Sequence, residues 1–513
     1  MNPAFRKQVQ RLFLFLSAVL FSLSATSAHA HVGSKDVFEQ ISSGPYKFFV
    51  TIRPPTVVPG VAVVEVRIAG PTISSLEITP IPLTGEASKH PPTADAMQRS
   101  GADPNFFTGS LWLMSSGSWQ VRLQAQGAGG PATANIPVPA VALSVLKMQR
   151  PMGVLLATLG LLLVFGMVGI FYGAVREARL VPGQTPSPDR TRRATIAAGI
   201  TLAILGLMVW GGDTWWNVAA ADYSADLYHP LQLHPVLTGS TLDLQIDRGA
   251  PDERGARRSN ADLLPDHGHL MHLYAIRWPQ MDAAYHLHPA LVGPGDLRTT
   301  VPDMPVGTYH LYGDIVHRSG FPETLTATLV VPPNASRAPL DNEDAAAHPQ
   351  PLSAGDLGVS YKLPDGYTMV WDRPTTLTAN TAELFRFTLL DPAREQATDM
   401  QPYLGMAGHA AFVKTDGTVF AHTHPDGSAA MPAMMLANAG MSDMSANAMA
   451  DMNAPTNTGM GGVDAKSPGK SPEPLDPIVE FPYGFPSAGR YRIFIQMKHG
   501  GTVETGVFDA EVK

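Results

Sequence analysis

Cysteine is absent from this chain of 513 residues. No disulfide can staple any part of it, and no thiolate can hold a metal or attack a substrate. Charge is scarce as well: 16% of residues are Asp, Glu, Lys or Arg and the net charge is −8, so the basic footprint of a nucleic-acid binder is missing and no nucleic-acid partner is expected. A Ser-His-Asp signature, a phosphate-cradling glycine loop and a general base at fixed spacing are also lacking, which argues against an enzyme. What is there is 44% hydrophobic residues, 17 histidines and 22 methionines. A metal site in such a chain would use His, Met, carboxylates or backbone.

The N-terminus pairs Arg6, Lys7 and Arg11 with the apolar stretch "LFLFLSAVLFSLSA" and a small-x-small "AHA" at 28–30. Residues 1–30 therefore read as a secretory signal peptide. Cleavage after Ala30 would place His31 at the new N-terminus, where amine and imidazole together can chelate Cu(II). Two long uncharged runs follow, at 151–175 and 194–212. Each is long enough for a hydrocarbon core of about 30 Å, and neither holds Asp, Glu, Lys, Arg or His, as a transport path normally would. They read as an anchor. The loop 176–193 carries Arg176, Arg179, Arg190, Arg192 and Arg193 against Glu177 and Asp189, which places it in the cytoplasm by the positive-inside rule. Trp215 and Trp216 would mark the interface at the end of the second helix.

The remaining segments are rich in short β-branched and aromatic runs such as "YKFFVTIR" and "VAVVEVRIAG", punctuated by Gly and Pro. That texture predicts sandwiches of short strands. The expected fold is mainly β: three extracytoplasmic immunoglobulin-like β-sandwich domains at 31–146, 236–333 and 356–513, plus a transmembrane hairpin of two helices. The polar, Pro-rich stretch 334–355 reads as a linker. The last two domains resemble each other. "HLMHLYAIR" matches "MAGHAAFVK", "YHLHP" matches "AHTHP", and "MPVGTYHLYGDIVHRSGFPETLTATLVV" matches "FPSAGRYRIFIQMKHGGTVETGVFDAEV". One unit is used twice.

The repeats carry histidines in register. Asp416-Gly417 is a strong two-residue hairpin signal. If Thr415 pairs with Thr418, His409 lies opposite His424, and His422 shares their face. In the earlier repeat, a turn centred on Gln280 sets His272 opposite His288, with His286 on the same face. Each trio suits Zn(II) or Cu(II). A further ligand could come from His269 or Met406, three residues upstream, or from His317 or His499 on a later strand; Glu323 and Glu504 are carboxylate options. The alternative is that these histidines are structural. Between 426 and 475 the third domain contains an insert with Met431, Met434, Met435, Met441, Met444, Met449, Met452 and Met460 in a small, polar context. Thioethers select Cu(I), whereas the bland reading is a flexible, oxidisable loop.

Long stretches, among them "DHGHLMHLYAIRWPQMDAAYHLHP", "GDTWWNVAAADYSADLYHPLQL" and "MAGHAAFVKTDGTVFAHTHP", resemble a set of uncharacterised bacterial, membrane-anchored exported proteins. The separate β domains are loosely similar to small periplasmic copper carriers of the CopC and YtkA-like kind, whose exported start is echoed by His31. These resemblances imply the periplasmic face of a bacterial inner membrane. The expected function is a membrane-anchored metal-binding protein, copper first and zinc second, with a possible periplasmic protein partner. The competing expectation is an exported scaffold or adhesion protein with structural histidines.

Overall fold

The computed structural model describes residues 36–146, 148–181, 183–248, 259–333, 338–439 and 475–513; the proposed signal peptide and His31 lie outside them. These residues form six antiparallel sheets that pair into three sandwiches, together with two long helices. The strands follow from simple alternation. In Gly60–Ala69, Ala62, Val64, Val66 and Ile68 face the first core while their neighbours face solvent. Leu242, Leu244 and Ile246 do the same in Thr241–Ile246.

The helices Arg150–Glu177 and Pro188–Ala225 pack against each other. At 28 and 38 residues, and about 1.5 Å per residue, both are long and apolar enough to cross a membrane. The second outruns the expected 194–212. It continues past Trp215 and Trp216 to Tyr223, whose hydroxyl meets the Val58 backbone at 3.3 Å and so ties the helix end to the first sandwich.

The two repeats share one plan. In the first, the hairpin of His272–Trp278 and Ala284–Leu287 lies beside Gly307–His317, which pairs on with Pro322–Val331. In the second, His409–Lys414 and Phe420–Thr423 lie beside Gly489–His499, which pairs with Thr502–Val512. The segment expected as a linker does more than tether: Ala345–Ala347 adds an edge strand to Ala284–Leu287 of the first repeat.

The hairpin strands are buried on both faces, unlike the ordinary strands. Leu273 and Ala275 join the first repeat's own core, and Ala410 and Phe412 join the second's. The opposite faces, Tyr274, Ile276 and Tyr312 of one repeat with Ala411, Val413, Phe420, Phe494 and Val507 of the other, form a shared cluster. Tyr312 and Phe420 stack across it at 4.3 Å. The repeats are thus docked face to face. Arg492 reinforces the joint. It is fully buried, binds Asp509 through two bonds of 2.8 and 3.0 Å, and donates to the carbonyls of Met281 and Gln350.

Candidate metal centre

Strand parity decides where the histidines point. His272 shares a face with Tyr274 and Ile276, and His409 shares one with Ala411 and Val413, which is the inter-repeat face in both cases. The observed registers are those expected: Leu273 opposes Leu287 and Tyr274 opposes His286 in one hairpin, while Ala410 opposes Thr423 and Ala411 opposes His422 in the other. Because the two hairpins dock on these faces, their histidines do not form two remote sites. His272, His286, His288, His409, His422 and His424 gather into one continuous cluster, with His267 and His269 at its flank.

Within it lie two trios. His272, His286 and His288 each offer a ring nitrogen, all within 4.8 Å of one another, and so do His267, His409 and His424. The second trio differs from the one expected. His422 is replaced in it by His267, which belongs to the first repeat. His267 sits in a tight turn, Asp266 to His269, with positive φ at His267 and Gly268. The second repeat has the same turn from Tyr403 to Met406, with positive φ at Leu404 and Gly405. Met406 closes that turn through its backbone, and Leu404 stands where the first repeat has His267. In the first repeat the imidazole crosses the interface, with ring centres 4.7 Å from His424 and 5.5 Å from His409.

The hydrogen bonds of the first trio set its tautomers. His272 Nε2 faces the Asp266 carbonyl at 3.0 Å, so it carries the proton. His286 Nδ1 faces Gln496 Oε1 at 2.9 Å and likewise donates. His288 Nδ1 donates to Asp344 Oδ1 at 3.0 Å. The inward nitrogens, His272 Nδ1, His286 Nε2 and His288 Nε2, are left as lone pairs. The first two face each other at 3.1 Å, and the third is buried with no hydrogen-bond partner. Two lone pairs at that distance repel unless a cation lies between them. Nitrogens sharing one tetrahedral Zn(II) at about 2.0–2.1 Å would stand roughly 3.3 Å apart.

In the other half, both ring nitrogens of His409 and His424, and the Nε2 atoms of His267 and His422, are buried without hydrogen-bond partners. Buried polar atoms are rarely left so. Burial, reinforced by neighbouring imidazoles, holds His272, His286, His409 and His424 well below the ordinary histidine range. They are neutral at neutral pH, with lone pairs free to bind a cation.

Other candidate ligands lie elsewhere. His317 is bound by Asp262 and Glu323, each at 2.9 Å, because its strand carries it beyond the hairpin to the Leu263–Leu264 pairing. His499 packs on Tyr367 at 4.0 Å, with Asp365 at 3.1 Å and Asp399 at 3.5 Å. Glu323 also accepts from the Leu231 backbone and the Tyr228 hydroxyl. Burial and Asp365 push Glu504 up to about 7. His269 stays near the first trio, its ring 4.2 Å from His288 and its Nε2 3.0 Å from Glu343. Met431, Met434 and Met435, expected in an irregular loop, lie on the helix Met431–Asn438, whose Pro432, Ala433, Leu436 and Ala437 are buried. Its Met431 N–H donates to Asp266 Oδ1 at 3.0 Å, beside the centre.

Residues 361–513 match the model of a family described as "Domain of unknown function (DUF8832)". No curated protein matches the chain. Among solved structures, an engineered protein is 19% identical over 18% of this chain and 19% of its own, with a TM-score of 0.14. A bacterial ice-binding adhesin is 7% identical over 89% of this chain and 91% of its own, with a TM-score of 0.13. A putative membrane-anchored protein from Corynebacterium diphtheriae is 9% identical over 93% and 96%, with a TM-score of 0.14. Likenesses at these scores carry no argument about function.

Proposed function

We propose that the chain is a membrane-anchored metal-binding protein that holds copper, or secondarily zinc, in the histidine cluster between its repeats. One observation carries the reading: three lone pairs converge from His272, His286 and His288, while each outer N–H is held by a backbone carbonyl, an amide or a carboxylate. Metal-binding imidazoles are normally oriented in this way. The inward donors are all neutral imidazoles, a set that suits Cu and Zn, with Cu(II) the stronger of the two in the general affinity order. Met431, Met434 and Met435 lie on the helix whose first backbone N–H reaches Asp266, and their soft thioethers would assist the capture of Cu(I).

The two helices supply the anchor. They expose apolar side chains along their length, such as Leu155 at 61% and Phe165 at 73%, far more than a water-soluble surface tolerates. With the basic loop 176–193 in the cytoplasm, the sandwiches stand on the periplasmic side of a bacterial inner membrane. The test is metal retention by the full chain in detergent. Loaded with Cu(II) or Zn(II) and dialysed, the wild type keeps metal, and a His272→Ala, His286→Ala, His288→Ala variant keeps less. Equal and negligible retention in both would end the reading.

A further inference from the structure

We propose that the two trios are one two-metal centre, built across the repeat interface and spin-coupled when filled with Cu(II). This rests on the metal-binding reading above and extends it. The second repeat cannot complete its trio alone, and the first supplies its three rings but leans on the second to hold one of them. His267 of the first repeat completes the trio of His409 and His424 in the second. Gln496 of the second repeat holds His286 of the first at 2.9 Å. In return, Asp314 of the first repeat faces His422 Nδ1 of the second at 3.2 Å.

The halves also adjoin. The rings of His272 and His409 are 6.3 Å apart and nearly parallel, and those of His286 and His409 are 6.0 Å apart. His422 stands between the trios, with ring centres 5.3 Å from His272, 5.5 Å from His286, 5.4 Å from His409 and 4.8 Å from His424. Its Nδ1 lies 3.2 Å from Asp314 Oδ2, and its Nε2 is buried without a hydrogen-bond partner, set in the space that both ions would share. The inward donors are all imidazole nitrogens. Carboxylates flank the centre: Asp344 accepts from His288, Asp314 lies 3.2 Å from His422 Nδ1, and Asp266 lies 3.6 Å from His267 Nε2. Two cations placed so close feel each other's field, so the sites cannot fill independently.

The test uses the full chain in detergent, titrated with Cu(II) and followed by metal analysis and electron paramagnetic resonance. Two ions per chain are expected, together with a half-field signal or a spin intensity below the copper content. His267→Ala should lower the stoichiometry from two to one and restore an isolated spectrum, and His424→Asn should do the same from the other repeat. Gln496→Leu, which removes no ligand, should weaken the first trio by roughly 10-fold or more. Retention of the remaining single ion shows that each variant is folded. One ion in the wild type, two ions with full uncoupled intensity, or two ions retained by His267→Ala would each overturn the two-metal centre and leave metal binding intact. No retained ion would remove the underlying reading as well.

Discussion

His422 reaches across the repeat interface to Asp314, Nδ1 to Oδ2 at 3.2 Å, and the first repeat returns the contact through His286 and Gln496. Asp314 opposes His272 in its sheet, as Gln496 opposes His409 in the other. The same position in each repeat thus steadies the middle histidine of its partner. A duplicated sandwich docked on its equivalent face makes such reciprocal contacts, and the histidines cluster at the joint.

Asp344 comes from the edge strand region after the first repeat and accepts from both the ring and the backbone of His288. Asp344→Ala should weaken the ion held by His272, His286 and His288 by about 10- to 100-fold without changing the number of ions bound. Competition against a chelator of known affinity measures this. An unchanged affinity would mean that His288 is not a ligand.

His317 should matter for stability and not for metal. Burial lowers its affinity for a proton, but hydrogen bonds and charge from Glu323 and Asp262 outweigh burial and raise it above the ordinary value. The stabilisation is therefore present in full below about pH 6.5, the unfolded value, and is lost as pH rises through the folded value. His317→Gln should lower the melting temperature more at pH 6 than at pH 9, with copper stoichiometry unchanged. Thermal scans at the two pH values, with metal analysis, decide it.

Glu39 of the first sandwich is buried against the second repeat and accepts from the Ala429 N–H at 2.7 Å. Burial raises its carboxyl well above the ordinary range, more than the bonds from Ala429 and Ser428 lower it. Its contribution is favourable while protonated, at pH below about 4.3, and falls as pH rises through the folded value. Glu39→Gln keeps an acceptor and removes the buried charge. It should raise the melting temperature at pH 7 and flatten the dependence on pH. A lower melting temperature at pH 7 would contradict this account.

Arg492→Leu would leave Asp509 in the joint between repeats with only the part-exposed Arg490, 3.0 Å away, as its cationic partner, and the Met281 and Gln350 carbonyls without their donor. Breaking a buried pair costs about 3–5 kcal/mol, whereas replacing both partners with apolar groups costs far less. Arg492→Leu should therefore unfold at markedly lower urea, and Arg492→Leu with Asp509→Leu should recover part of the difference. Tryptophan fluorescence through a urea titration compares them.

Much of this was legible in the sequence. Alternating strands, two uncharged runs, a repeated unit and the Asp416-Gly417 turn are local signals, and they sufficed for the sandwiches, the long helices and both hairpin registers. The runs "HLYAIRW" and "HAAFVK" also carried a signal of docking, since strands buried on both faces lose their alternation. The entry of His267 was harder to see. Its one cue is "HG" at positive φ in a tight turn, and nothing nearby in sequence says that the turn faces the other repeat. Met431–Asn438 was equally hidden, because eight residues of small and thioether side chains become a helix only when Ala433, Leu436 and Ala437 find a surface to cover.

From the sequence came the expectation that each hairpin presents His272, His286 and His288, or His409, His422 and His424, on a single side, because side chains alternate with period two and turns at Gln280 and at Asp416-Gly417 give that pairing. Tertiary structure alone decided that the two sides meet, that His267 crosses from one repeat to the other, and that Gln496, Asp314 and Asp344 stand behind the rings. Those contacts join residues up to 210 positions apart, and their geometry comes from burying one apolar face against another, which no local pattern specifies.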